Sequence, residues 1–161
     1  MILIISTCKE KLHELEFVKP VEKILKENKF KYLTKHYLKL NKKDFEKSSK
    51  VIICGTSLKD NKFLKDIKKF SWIESYKKPI FGICAGSHII GLLEGKNLKK
   101  QEEIGLKKIK LNFLGISEET EVYHLHKFAV LPEIFHEENI YATLFHPEVR
   151  NKNIIEEFIK L

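Results

Sequence analysis

Three short stretches of this chain are apolar at almost every position: Ile-Leu-Ile-Ile at 2–5, Val-Ile-Ile-Cys at 51–54 and Ile-Phe-Gly-Ile at 80–83. A strand with one wet face alternates apolar and polar residues. A strand without that alternation is buried on both faces. The segments between these runs are long enough for crossover connections, and they carry helical spacing. Val18, Val21, Ile24 and Leu25 share one face, with Pro20 suited to a first turn. Residues 30–34 suit a second strand, 44–47 a short helix, and Phe63, Leu64, Ile67 and Phe70 another amphipathic helix. Strands alternating with helices predict right-handed crossovers and a parallel sheet.

Beyond Ile83 a short helix is expected over residues 87–93, and then the pattern changes. Residues 104–113, 121–126 and 128–131 read as strands with hairpin-like connections, and 140–145 as a further strand. Ile154, Ile155, Phe158 and Ile159 close the chain with an apolar helical face. The expected fold is a three-layer α/β domain over residues 1–161. It has a mostly parallel central sheet, helices on both faces, and added antiparallel strands in the second half. A chain of 161 residues can bury roughly 70% of its unfolded surface, so it needs no disulfides. Cys8, Cys54 and Cys84 are odd in number and unpaired in spacing, which argues against a disulfide framework and a cysteine zinc site.

No apolar run approaches the roughly 20 residues that span a bilayer. The opening run is broken by Cys8, Lys9, Glu10 and Lys11, too early for a signal peptide, so the expected compartment is the cytoplasm. The net charge of +8 is carried by lysine, Arg150 being the sole arginine. Nucleic-acid readers rely on arginine for bidentate contacts. Here the lysines are scattered over helical stretches as solvated faces, which argues against a nucleic-acid partner.

Reactive sites of parallel sheets lie beyond the carboxyl ends of the strands. Gly55, Cys84 and His146 all fall at such ends. Gly82-Ile83-Cys84-Ala85-Gly86 stands between a buried strand and a helix, in the form of a nucleophile elbow with sulfur in place of oxygen. The glycines let strand and helix approach closely. The helix N-terminus favours thiolate over thiol, and the Ala85 amide can meet a developing oxyanion. The plainer alternative is a buried structural cysteine in a glycine-containing turn.

Phe145-His146-Pro147-Glu148 follows a strand. A thiolate nucleophile needs an imidazole to take and return a proton, and the imidazole needs a carboxylate to fix its tautomer. Pro147 keeps His146 out of helical geometry. Extended residues two apart point the same way, so His146 and Glu148 can project together. The assignment is Cys84 as nucleophile, His146 as base and Glu148 as orienting acid.

These two motifs, in this order and at this separation, resemble the class I, or triad, glutamine amidotransferases, whose patterns are G-x-C-x-G-x-Q and F-H-P-E. Members include the amidotransferase part of GMP synthetase and the small subunit of carbamoyl phosphate synthetase. Weaker similarities are Ile52-Ile53-Cys54-Gly55-Thr56 to the family's oxyanion strand, Glu103-Ile104-Gly105 to a Glu-x-Gly element, and His126-Lys127-Phe128-Ala129-Val130 to a segment beside the site. The resemblance implies a flavodoxin-like glutaminase fold without a cofactor or metal. Glutamine or a related small amide would be the substrate, and a synthetase or acceptor subunit would receive the ammonia. It places Gly55, Thr56 and Ala85 in a backbone oxyanion hole and Gly86, His88, His126 and Phe128 at the substrate.

The chain departs from the pattern at three positions. His88 replaces the glutamine after the elbow, Thr56 a second oxyanion glycine, and Leu144 the glutamine before Phe145. These changes bear on substrate, and leave open a cysteine hydrolase acting on another γ-glutamyl compound or amide, or a non-catalytic relative. Little chain between Gly95 and Glu121 remains to wall a pocket. His124-x-His126 has a spacing that can bind metal, but with no acid nearby in sequence the expectation is a site-lining role for His126 and no metal. Cys54 reads as core, and Cys8 as a thiol that could face the site.

Overall fold

A computed structural model describes all of residues 1–161. Its strands are β1 (Ile2–Ser6), β2 (Tyr32–His36), β3 (Lys50–Ile53), β4 (Ile80–Ile83), β5 (Lys99–Phe113), β6 (Ile116–Ala129), β7 (Ile134–Glu137) and β8 (Ile140–Thr143). Its helices are α1 (Glu14–Phe17), α2 (Lys19–Glu27), α3 (Lys42–Lys47), α4 (Lys62–Lys65), α5 (Ala85–Leu93), α6 (Pro147–Arg150) and α7 (Lys152–Lys160). Six strands form the central sheet in the order β2-β1-β3-β4-β8-β7, parallel except for β7. β5 and β6 form a separate antiparallel ribbon.

The continuous apolar strands do what their composition requires. Ile2 and Ile4 face one core, with Val21, Leu25, Ile154 and Phe158 of the helices above them. Leu3 and Ile5 face the opposite core, with Phe63, Phe70, Ile89 and Ile90. Alternate residues of one strand therefore serve both cores, which is the three-layer arrangement. A nine-residue helix such as α7 is marginal alone. Its buried Ile154, Ile155, Phe158 and Ile159, at roughly 2 kcal/mol each, outweigh that cost.

Three expectations change. The helix expected over 63–70 is a single turn, α4, followed after Asp66 by a 3₁₀ segment, Ile67–Ser75. Ile67, Phe70 and Ile73 recur every third residue, the period at which side chains of a 3₁₀ helix eclipse, and Phe70 and Ile73 are buried. The strands expected at 104–113, 121–126 and 128–131 are two long strands joined by Leu114-Gly115, and Phe128 belongs to β6. Leu114 and Gly115 both have positive φ, the tight-turn geometry that suits the right-handed twist of a ribbon. The antiparallel strand that joins the central sheet is β7, in a segment where no strand is expected from the sequence. The ribbon lies against the sheet through Leu111, Phe113 and Val122. No helix is long and apolar enough to cross a membrane.

Candidate active site

The elbow is built as its residues demand. Cys84 ends β4 and caps α5 with φ +48° and ψ −95°, a conformation that an L-residue adopts only at a cost of about 1–3 kcal/mol. Its amide donates to the Thr143 carbonyl at 2.8 Å, and its carbonyl accepts from His88 N–H at 3.0 Å, so strand, turn and helix are locked together. A Cβ at Gly86 would meet the Ile53 carbonyl oxygen at 2.5 Å. Any side chain there would drive α5 away from β3. Gly86 is thus a packing position, and it is not among the residues lining the small cavity over Cys84.

His146 is fully buried, and its Nδ1 stands 2.8 Å from Glu148 Oε1, itself buried. A carboxylate only accepts, so the hydrogen is on Nδ1, and Nε2 has no hydrogen-bond partner. Burial pushes the His146 pKa down. The charges of Glu148 and of the Cys84 thiolate outweigh it and hold the ring well above its ordinary value. The two residues meet for a different reason than strand alternation. His146 is the non-helical residue ahead of α6 (φ −104°, ψ 88°), and Pro147-Glu148 begin that helical turn. Cap geometry folds the acid back onto the ring.

The ribbon supplies two backbone anchors. The Tyr123 carbonyl accepts from His146 N–H at 2.8 Å, and the Leu125 carbonyl accepts from the Cys84 thiol at 3.7 Å. Carbonyl roles leave no mark on side-chain identity, which is why neither residue stands out in the sequence.

Gly55 packs between Cys84 and His146. An added Cβ would lie 2.6 Å from His146 Cε1 and 3.5 Å from Cys84 Cβ. Its carbonyl accepts from Thr7 Oγ1 at 3.4 Å and Cys8 Sγ at 3.8 Å, on the β1 side. The peptide to Thr56 is trans, so the Thr56 N–H lies on the side opposite the Gly55 carbonyl. The Ala85 N–H is an unbonded first-turn donor of α5. These are the groups expected at an oxyanion hole. Asp60, not anticipated, secures this loop by accepting from Thr56 Oγ1 at 2.8 Å and from the Lys9 and Lys62 amides. Its position just before α4 is a conventional acidic signal at a helix start that could have flagged it. Cys54 is core, as expected. Cys8 reaches the Gly55 carbonyl, and burial raises its pKa, so it is a poor thiolate.

The Gly55→Ala variant is expected to keep its fold but to displace the imidazole, lowering turnover on the order of 10²-fold. Steady-state kinetics beside a melting curve check it. Turnover equal to that of the parent would mean the ring has room that the geometry denies.

Thr56, Asp60, Phe63, Cys84, Ala85, His88, Leu125, His126, Lys127 and Phe128 contribute to the walls of a cavity of about 20 Å³. That volume holds one water and not an amide side chain. The Leu125–Phe128 wall comes from the ribbon, which does the work of the inserted chain that is short here. His88 Nε2–H donates to the Phe128 carbonyl at 2.8 Å. Burial pushes its pKa down to about 4, so the ring is neutral at ordinary pH and Nδ1 is an acceptor. His126 packs at the same wall, and its Nδ1 meets the Gln101 carbonyl at 2.9 Å. His124 and His126 do have acids beside them: Glu103 and Glu133 arrive from β5 and from the turn before β7.

Comparison with known proteins gives the same picture from outside. The glutamine amidotransferase class-I family model matches residues 13–137, a span containing Cys84. A subunit of glutamine-hydrolyzing GMP synthase from Methanosphaera stadtmanae is 36% identical over 112 residues, covering 52% of this chain. The matched region spans 60% of the length of that relative. Among solved structures, a GMP synthase subunit protein from Thermoplasma acidophilum superposes with a TM-score of 0.82 at 19% identity, over 99% of this chain and 92% of that one. A glutamine amidotransferase from Thermotoga maritima superposes with a TM-score of 0.64 at 18% identity, over 99% and 81%. The elbow, the matched family span and the shared three-layer fold agree: the chain belongs to the class-I glutamine amidotransferases.

Proposed function

We propose that this chain is a glutaminase subunit of the GMP synthase type, hydrolysing the side-chain amide of glutamine and passing the ammonia to a partner synthetase. The observation that carries the reading is the buried His146–Glu148 pair at 2.8 Å, with its free Nε2 beside a cysteine held in elbow geometry. The Cys84 thiolate attacks the amide carbon. The oxyanion falls between the Ala85 and Thr56 amides. The imidazolium of His146 gives its proton to the departing amine, which leaves as ammonia. The same ring then draws a proton from water, which cleaves the thioester to glutamate and restores the thiolate. The neutral His88 offers an acceptor suited to an ammonium group such as that of an α-amino acid.

The small cavity requires the 56–61 loop and the 126–128 wall to part before glutamine enters, which suits activation by a partner. The test is glutamate release from glutamine by the chain alone and with a GMP-synthetase-type partner, with labelling of Cys84 by a glutamine-analogue alkylator. Release that rises with the partner is expected. His88 motivates one other reading, a hydrolase of different γ-glutamyl compounds. Labelling of Cys84 without glutamine turnover under either condition would favour it and overturn the first.

A further inference from the structure

We propose that Glu103, His124 and His126 form a divalent-metal site of the zinc type, which latches the base of the β5–β6 ribbon beside the elbow. Hydrogen positions on the two rings come first. His126 Nδ1 stands 2.9 Å from the Gln101 carbonyl oxygen, which can only accept. The hydrogen of His126 is therefore on Nδ1, and Nε2 is a bare lone pair. His124 Nε2 stands 2.8 Å from Glu133 Oε1, off the line of a well-formed hydrogen bond, yet a bare nitrogen that close to a carboxylate would meet lone pair with lone pair. The hydrogen of His124 is on Nε2, and its Nδ1 is also bare.

Those two bare nitrogens face each other at 2.9 Å. Glu103 Oε2, buried and without a hydrogen-bond partner, stands 3.5 Å from His124 Nδ1 and 3.4 Å from His126 Nε2. Three acceptors converge with no donor between them, and the two rings are only 1% and 2% exposed. One added proton would bridge the nitrogens and leave the carboxylate oxygen unpaired. A divalent cation satisfies all three.

The dimensions fit such an ion. Ligands at 2.0–2.1 Å in a tetrahedron stand about 3.3 Å apart, close to the three separations found. The surroundings fit as well. The Gln101 carbonyl holds the outer nitrogen of His126, the usual support for a metal-bound imidazole, and Glu133 stands beside that of His124. Lys107 reaches Glu103 Oε1 at 3.2 Å and Glu133 Oε1 at 3.0 Å, fixing both carboxylates. Glu133 lies on the far side of the His124 ring, so the fourth position belongs to water.

The role that follows is structural. The β5–β6 register shifts between Lys100 and Glu103, so the ladder is irregular where the site would close it. Between the two histidines lies Leu125, whose carbonyl meets the Cys84 thiol. Binding is independent of glutamine turnover, so failure of one reading leaves the other standing.

The test uses the whole chain as Cys84→Ser, which removes the competing thiolate. The protein is stripped with chelator, dialysed against Zn²⁺ or Co²⁺, freed of unbound metal and assayed by atomic emission. About one equivalent is expected, with a visible Co²⁺ band of low-coordinate type and a raised melting temperature. Glu103→Gln and His124→Gln should each weaken binding at least about tenfold. Without those two substitutions, Zn²⁺ should shift the side-chain NMR signals of two histidines, which keeps the test valid if the variants misfold. Less than about a tenth of an equivalent bound, unmoved histidine signals, or full binding in folded Glu103→Gln/His124→Gln protein would overturn the proposal.

Discussion

Replacing Cys84 with alanine is expected to lower glutamine hydrolysis by on the order of 10⁴-fold or more while leaving the fold intact. The sulfur is the only group at the elbow able to form the thioester. Its loss removes a weak contact to the Leu125 carbonyl and the interaction with His146, while the amide and carbonyl of residue 84 carry the structural bonds. A second substitution separates function from architecture. Cys84→Gly relieves an L-residue of φ +48°, so it should be just as inactive yet more stable, by about 1 kcal/mol. Parallel urea melts and glutamate assays read both. Turnover within about tenfold of the parent would show that Cys84 is not the nucleophile, and a glycine variant less stable than alanine would show that the backbone at 84 is not where the strain lies.

The second large effect is at Glu148. The Glu148→Gln variant should lose on the order of 10³-fold in turnover. A glutamine side chain can donate to His146 Nδ1, which moves the ring hydrogen to Nε2 and leaves no base facing the thiol. The same substitution removes the largest influence holding the His146 pKa up. A histidine whose folded-state pKa is raised adds stability that is complete below the unfolded value, about 6.5, and is lost as pH rises through the folded value. The stability difference between parent and variant should therefore be widest near pH 6 and shrink on the alkaline side. Denaturant midpoints across that range test the sign. A difference that grows with pH would mean the pair is held neutral.

The layered sheet and the candidate triad are readable in the sequence because each has a local signature. Buried strands such as 2–5 and 80–83 announce themselves by unbroken apolar composition. The elbow needs glycines on both sides of its nucleophile, and Pro147 forbids helix at His146. What the sequence hides works through backbone or through distant pairing. Tyr123 and Leu125 contribute carbonyls, which any residue has. Glu103 is 21 and 23 positions before the histidines it approaches, and only the antiparallel register, with Glu103 opposite His126, brings it near. The 63–70 segment misleads because three apolar residues at intervals of three satisfy both helix types, and the helical turn ends at Asp66 before the 3₁₀ segment begins.

The register break at the ribbon's base has a consequence for how the molecule can breathe. Elsewhere the ribbon is stitched by a regular ladder from Glu103 to the tip, and its far end is sunk into the core through Phe113. Between Lys100 and Glu103 the stitching lapses, one step from the wall that closes over the sulfur. A seam of this kind parts at little loss of hydrogen bonding. Admission to the cavity over Cys84 can then be granted by a few residues letting go, with sheet and helices standing still.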